Sequence, residues 1–334
     1  MELRFDSAAA ACGPIAPMLL GVPRSVKREA QEIRLRAGKP VALSLPGGTL
    51  FLTGRGELVR TVTPGCFFTD RPLLEGVFRS MCSFSVYSHQ NEIRNGYVTL
   101  RGGHRAGICG TAVMDKGEMT GIRNVSSINL RIAREIRGAA DAVACRGEAL
   151  FKGLLLAGPP CCGKTTVLRD LARQLSEARR KVAVVDERGE FAGMWEGEAQ
   201  NDLGPCCDIL NGYAKREGML QAIRGLSPEV LICDELGGAG DAEAVTESLC
   251  AGVAIIASIH AGSAEELLRR PQAAAILRTG AFENVALMSG RETPGTVIRW
   301  MKAGDFVENS RDSDDGRGVC VHRLDPGASP RAAG

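Results

Sequence analysis

One string constrains this chain more than any other: Gly158-Pro159-Pro160-Cys161-Cys162-Gly163-Lys164-Thr165, followed by Thr166. It fits the pattern G-x-x-x-x-G-K-[ST]. The apolar run Leu154–Ala157 leads into it, and a helical pattern over Lys164–Ala178 leads out. A strand, a glycine-rich loop and a helix in that order predict a sheet whose loop wraps phosphate. Glycines let backbone N–H groups turn inward, and the helix N-terminus adds the positive end of a dipole. The loop Gly158–Thr166 is therefore the expected ATP site. Lys164 is placed to reach the β- and γ-phosphates and the Thr165 hydroxyl to ligate Mg²⁺.

Other apolar runs end in polar residues. Val230–Cys233 runs into Asp234 and Glu235, about 70 residues beyond Lys164. This reads as a Walker B strand, with Asp234 holding the water shell of Mg²⁺ and Glu235 polarising the attacking water. Val182–Val185 runs into Asp186, Glu187, Arg188, Gly189 and Glu190, any of whose carboxylates could serve as base or metal-shell ligand; the alternative is a charged loop that pairs with Arg188. Ala254–Ile259, with Ser258, ends at His260, a candidate γ-phosphate sensor. In a parallel sheet such strand ends converge on one edge.

The spacing predicts helices near Lys215–Gly225, Ala242–Ala251 and Ala264–Leu268 between these strands. Apolar strands alternating with helices imply a parallel sheet covered on both faces. The pattern upstream is different. Val26–Arg36 reads as a helix, Val41–Leu45 and Thr49–Thr53 as a hairpin, and Asp70–Cys82 as a helix capped by Asp70. Tyr97–Arg101, Ala106–Cys109 and Ala112–Met114 read as short strands between glycine turns, and Ser127–Ile136 as another strand. The expected organisation is an α+β domain over 1–140, a P-loop domain over 141–308 and a loose polar tail over 309–334, with one short strand at Val319–Val321.

Composition narrows the functional classes. No apolar run approaches the roughly 18 residues needed to cross a bilayer, and the start Met-Glu-Leu-Arg-Phe-Asp has no leader pattern, so a cytoplasmic protein is expected. Twelve cysteines include no Cys-x-x-Cys pair, which argues for reduced thiols over zinc. Residues 1–150 hold 20 Lys and Arg against 13 Asp and Glu, a net +7, while the remainder carries −5. A basic first half suits an anionic partner. Arg94, Arg101, Arg105, Arg123, Arg131 and Arg134 lie in that half, and arginine from a neighbouring domain or subunit can stabilise phosphoryl transfer.

The combination of strings resembles the stage III sporulation protein AA family, P-loop ATPases akin to the motors of type II and type IV secretion. The resemblance rests on Asn95-Gly-Tyr-Val-Thr, Gly102-Gly-His-Arg-Ala-Gly-Ile-Cys-Gly, Asn129-Leu-Arg-Ile-Ala-Arg-Glu-Ile, the P-loop, Asp186-Glu-Arg-Gly-Glu, Lys215–Glu229, Asp234-Glu-Leu-Gly and Ser258-Ile-His-Ala-Gly. It implies a RecA-like ATPase domain behind a smaller α+β domain, and a homo-oligomeric ring, a hexamer, with ATP at subunit boundaries. It also implies an acidic box at Asp186–Glu190 carrying Glu187 and Glu190, a histidine box at His260, a motor arginine at Arg224, and Arg123, Arg131 and Arg134 as candidates to act in trans. Its implied partners are membrane-embedded export proteins at the forespore, reached from the mother-cell cytoplasm. Cys161-Cys162 and Cys206-Cys207 depart from the pattern as cysteine pairs, and Asp234 stands where the secretion motors often lack an aspartate. Two other readings compete: a RecA-like nucleic-acid translocase, and an ATP-binding switch with little turnover. Aromatics are only 4% of the chain, few for base stacking, so no nucleic acid is expected as partner.

Overall fold

The computed structural model describes residues 2–238 and 240–305. The expected tail at 309–334, with its strand at Val319–Val321, lies outside the described residues. The chain begins with helices α1 (Glu2–Ala10), α2 (Ala16–Leu20) and α3 (Arg24–Glu29). Strands β1 (Glu32–Arg36), β2 (Lys39–Pro40), β3 (Ala42–Leu45), β4 (Gly48–Leu52), β5 (Leu58–Val59) and β6 (Phe68–Thr69) follow. Next come α4 (Arg71–Met81), α5 (Gln90–Arg94), β7 (Tyr97–Leu100), β8 (His104–Asp115) and β9 (Glu118–Arg131). Seven of these strands form an antiparallel sheet in the order β5-β4-β3-β1-β9-β8-β7. Its apolar face buries Ile33, Leu35, Leu43, Ile128 and Leu130 against Phe5 of α1 and Leu74 and Val77 of α4.

Local chemistry explains these elements. α4 starts where Asp70 accepts a hydrogen bond from the Leu73 N–H at 2.8 Å, as the sequence predicts. The helix expected over Val26–Arg36 instead ends at Glu29, and residues from Glu32 form β1. Ile33 and Leu35 alternate at the strand period, and β1 sits between β3 and β9, so pairing on both sides outweighs helix propensity. The short strands expected at 106–109 and 112–114 are one strand, β8. Gly110 marks a register shift within it, where a Cβ would lie 2.6 Å from Ile122. β9 also starts and ends earlier than the expected 127–136.

The second half contains α6 (Asp141–Ala144), β10 (Leu154–Gly158), α7 (Lys164–Glu177), β11 (Val182–Asp186), β12 (Cys207–Asn211) and α8 (Lys215–Leu226). These are followed by β13 (Val230–Leu236), α9 (Asp241–Cys250), β14 (Ala254–His260), α10 (Ala264–Arg269), α11 (Pro271–Arg278), β15 (Asn284–Met288) and β16 (Val297–Lys302). The sheet order is β12-β11-β13-β14-β10-β15-β16, parallel except for the edge strand β16. β14 therefore lies between the P-loop strand β10 and the Asp-Glu strand β13. Two apolar clusters, one on each face, bury the strands, as continuous apolar runs require. Among the described residues no helix is long and apolar enough to cross a membrane.

The loop between β11 and β12 ties the two halves together. Arg4 donates to the carbonyls of Gly102 at 2.6 Å and Gln200 at 2.9 Å and pairs with Glu135 at 2.9 Å. The Gly102 N–H donates to Gln200 Oε1 at 2.8 Å. Gly193 sits with φ +57° so close to Gly103 that an added Cβ would lie 2.7 Å from its Cα.

Candidate active site

The P-loop leaves β10 and turns into α7 through Gly163, whose φ of +93° needs glycine. A late segment of the chain buttresses the loop. The Gly295 N–H donates to the Cys162 carbonyl at 2.8 Å, and a Cβ on Gly163 would meet Gly295 N at 2.7 Å. Cys162 is buried and Cys161 exposed. Lys164 is almost fully buried and folds back, donating to the carbonyls of Gly158 and Pro159, each at 2.9 Å. Its ammonium also reaches His260 Nδ1 at 3.1 Å.

The ends of β10, β13 and β14 bring the polar groups together. Thr165 Oγ1 donates to one oxygen of Asp234 and Ser258 Oγ to the other. The Glu235 N–H donates to Asp234 Oδ1 and Ser258 Oγ, both at 3.0 Å. Glu235 itself has φ +51°, a strained value for a side chain with a Cβ. His260 Nε2 lies 2.7 Å from Glu235 Oε1, and Arg188 pairs with the other carboxylate oxygen. Nε2 faces the Glu235 carboxylate and Nδ1 the Lys164 ammonium, so a ring with its hydrogen on Nε2 donates to the first and accepts from the second. Burial alone would raise the Glu235 pKa, but the His260 hydrogen bond and the charges of Arg188 and Lys164 outweigh it and lower the pKa. The group is thus held as a carboxylate.

Asp186 is bound into its own loop. Its buried carboxylate accepts the backbone N–H groups of Glu190, Phe191 and Ala192 at 2.8, 3.0 and 3.0 Å. Burial raises its pKa, partly offset by these three bonds. Glu187 lies 3.7 Å from Lys215 Nζ. Glu190 pairs with Arg105 at 2.9 Å, and the Arg105 guanidinium stacks over Tyr97 at 3.7 Å.

The predicted arginines divide: Arg131 and Arg134 line one cleft beside Thr166, whereas Arg123 and Arg224 lie apart from it. Arg134 donates to the carbonyls of Glu29 and Ala30 and so staples the end of α3. Arg131 is exposed, 3.5 Å from Glu32. Arg123 is exposed on β9 eight residues away, about 26 Å along an extended strand. Arg224 is exposed in the last turn of α8, about 14 Å along that helix from Lys215 and away from the strand ends. Within one chain, Arg224 and Arg123 do not meet the P-loop.

Two contributors escape a reading of the sequence. Lys215 donates to the Glu235 carbonyl at 2.5 Å and faces Glu187 and Asp241. A lysine opening a helix is disfavoured by the dipole, so its position at the start of α8, just after a strand end, is the available signal. Arg169 of α7 donates to the carbonyls of Arg134 and Glu190 and bridges the two halves. A cleft of about 460 Å³, within the ~300–1,000 Å³ of small-ligand sites, opens beside Thr166 and is lined by Arg105, Arg131, Arg134, Arg169 and Arg188.

A model of the family described as Sporulation stage III, protein AA, matches residues 17–304. The chain belongs to this family. It is 36% identical over 282 residues to the Stage III sporulation protein AA of Bacillus subtilis, covering 83% of this chain and 88% of that relative. Among solved structures, the pilus retraction motor PilT with bound ADP superposes with a TM-score of 0.55 at 15% identity, covering 86% of this chain and 84% of that one. The Legionella pneumophila ATPase DotB superposes with a TM-score of 0.50 at 14% identity, covering 89% and 86%. At these identities the likeness is one of fold: a mixed α/β chain with a parallel sheet, shared with the retraction motor PilT and the ATPase DotB.

Proposed function

We propose that this family member is a Mg-ATP-hydrolysing motor of the secretion type, acting in sporulation. The observation that carries the reading is the contact of Thr165, Asp234 and Ser258 beside Lys164, with Glu235 and His260 adjacent. On this reading residues 1–140 form an N-terminal α+β domain and 141–308 a RecA-like ATPase domain. The subunits assemble as a ring, a hexamer, docked to membrane-embedded export proteins from the mother-cell side.

The residues fit the chemistry. Gly158–Thr166 wrap the phosphates, and Lys164 exchanges its P-loop carbonyls for the β- and γ-phosphate oxygens. Thr165 and Asp234 offer a hydroxyl and a carboxylate, the hard oxygen donors that suit Mg²⁺. When bound, Mg²⁺ neutralises charge developing on the phosphates. Glu235 accepts a proton from water as its oxygen attacks the γ-phosphorus, the bond to the bridging oxygen breaks, and ADP leaves with that electron pair. His260 orients Glu235 and senses the phosphate through Lys164. Arg131, at the rim of the arginine-lined cleft, is the trans candidate best placed to reach a neighbour's nucleotide.

The test is Mg-ATP hydrolysis per subunit as protein concentration rises, with Lys164→Ala as control. The motor reading expects a specific rate that climbs with concentration and is abolished in the control. A concentration-independent rate removes the trans arginine, and no hydrolysis at any concentration leaves an ATP-binding switch.

A further inference from the structure

Glu235 is held on every side. Its N–H is bound by Asp234 and Ser258, its carbonyl by Lys215, one carboxylate oxygen by His260 and the other by Arg188. A carboxylate with both oxygens engaged is poorly placed to take a proton from water. Of its partners, Arg188 is the most exposed, with 61% of its side chain open to solvent. The loop around it is short and anchored at both ends. Asp186 pins the chain on one side and fixes the N–H groups of Glu190, Phe191 and Ala192 on the other. Only Glu187, Arg188 and Gly189 lie between, and Gly189 has φ +68°. Arg188 lines two adjoining hollows, one containing Asp234, Glu235 and Lys215, the other Thr166 and Arg169.

We infer that Arg188 is a cis-acting arginine of the hydrolytic site: its guanidinium holds Glu235 while the site lacks triphosphate and moves to the γ-phosphate when one binds. This rests on the ATPase reading above. A terminal phosphate carries more negative charge than a carboxylate and accepts a guanidinium bidentately, so it competes well for this side chain. The transfer does two things at once. It leaves Glu235 free to accept the proton of the attacking water, and it sets a positive charge against the γ-phosphoryl oxygens as the bond to the bridging oxygen breaks and ADP departs with the electron pair. ADP has no γ-phosphate and leaves Arg188 on Glu235.

The test compares wild type, Arg188→Ala and Arg188→Lys for equilibrium binding of Mg-ADP and of Mg-β,γ-imido-ATP, and for kcat. Arg188→Ala should bind ADP within about twofold of wild type, bind the imido analogue at least about tenfold more weakly, and lose about 10²–10³ in kcat, the worth of one charge-directed donor. Arg188→Lys should fall between. Unchanged melting of an exposed-site variant excludes misfolding as the cause. Arg188→Ala that binds both nucleotides like wild type and keeps or raises kcat would reduce Arg188 to a restraint on Glu235 and overturn the inference, as would equal weakening of both nucleotides. A wild-type chain that binds neither nucleotide would instead sink the ATPase reading, and this inference with it.

Discussion

Replacing Asp186 separates an anchor from a base. Its carboxylate is 2% exposed and accepts three N–H groups, two of which belong to Phe191 and Ala192, themselves 1% and 0% exposed. In Asp186→Ala the exposed Glu190 N–H can turn to water, but the other two are stranded. Each stranded buried donor costs about 1–3 kcal/mol, giving about 2–6 kcal/mol. The carboxylate's own burial, which raises its pKa, already costs stability in the wild type, so the net loss belongs in the lower part, about 2–4 kcal/mol. Urea unfolding measures this, and amide hydrogen exchange at Phe191 and Ala192 localises it. Asp186→Asn keeps an acceptor of the same shape but cannot take a proton. An anchor therefore predicts Asp186→Asn more stable than Asp186→Ala, with hydrolysis within about tenfold of wild type. An Asp186→Asn chain as stable as wild type but as inactive as Lys164→Ala would refute the anchor.

Two further outcomes follow from single residues. His104 is buried, accepts the Ala133 N–H on Nδ1 at 3.0 Å, and has its pKa lowered from 6.5 to about 4, by burial first and by Arg4 second. The folded state thus takes up its proton later than the unfolded state. The stability this neutral ring contributes is complete above pH 6.5 and is lost as pH falls through about 4, up to about 3 kcal/mol. Urea unfolding at pH 7, 5.5 and 4 should show wild type losing more stability than His104→Gln, and parallel losses would contradict it. Gly153 has φ +83°, and a Cβ there would lie 1.9 Å from the Ala281 carbonyl oxygen. Gly153→Ala should cost at least about 3 kcal/mol by forcing backbone apart, and an unchanged urea midpoint would contradict that.

The P-loop sheet is legible because its strands announce themselves. Leu154–Ala157, Val182–Val185, Val230–Cys233 and Ala254–Ile259 are continuous apolar runs between helices, and all four are strands in the structure. β12, β15 and β16 are not found from the sequence: β12 and β16 are edge strands, β16 has no buried residue and no strict alternation, and its register with β15 is broken near Met288. β1 was hidden because Glu32, Arg34 and Arg36 suit a helix as well as a strand, and only pairing with β3 and β9 decides between them. In the site, Lys164, Thr165, Asp234, Glu235 and His260 come from motif and position, and they do lie together. Asp186 could not be told from a base, since an acid at a strand end reads the same whether it faces a ligand or its own loop. Arg188, Arg169 and Lys215 act through partners distant in sequence, which no local pattern encodes.

The buttress on the P-loop has a consequence for the order of events in synthesis. The motif at 158–165 emerges from the ribosome at mid-chain, yet the backbone that steadies it, around Gly295, is made some 130 residues later. Until the segment around Gly295 is made, the emerging loop lacks the hydrogen bond to the Cys162 carbonyl and the close contact at Gly163. The loop therefore receives this support late, once both halves of the chain are already out.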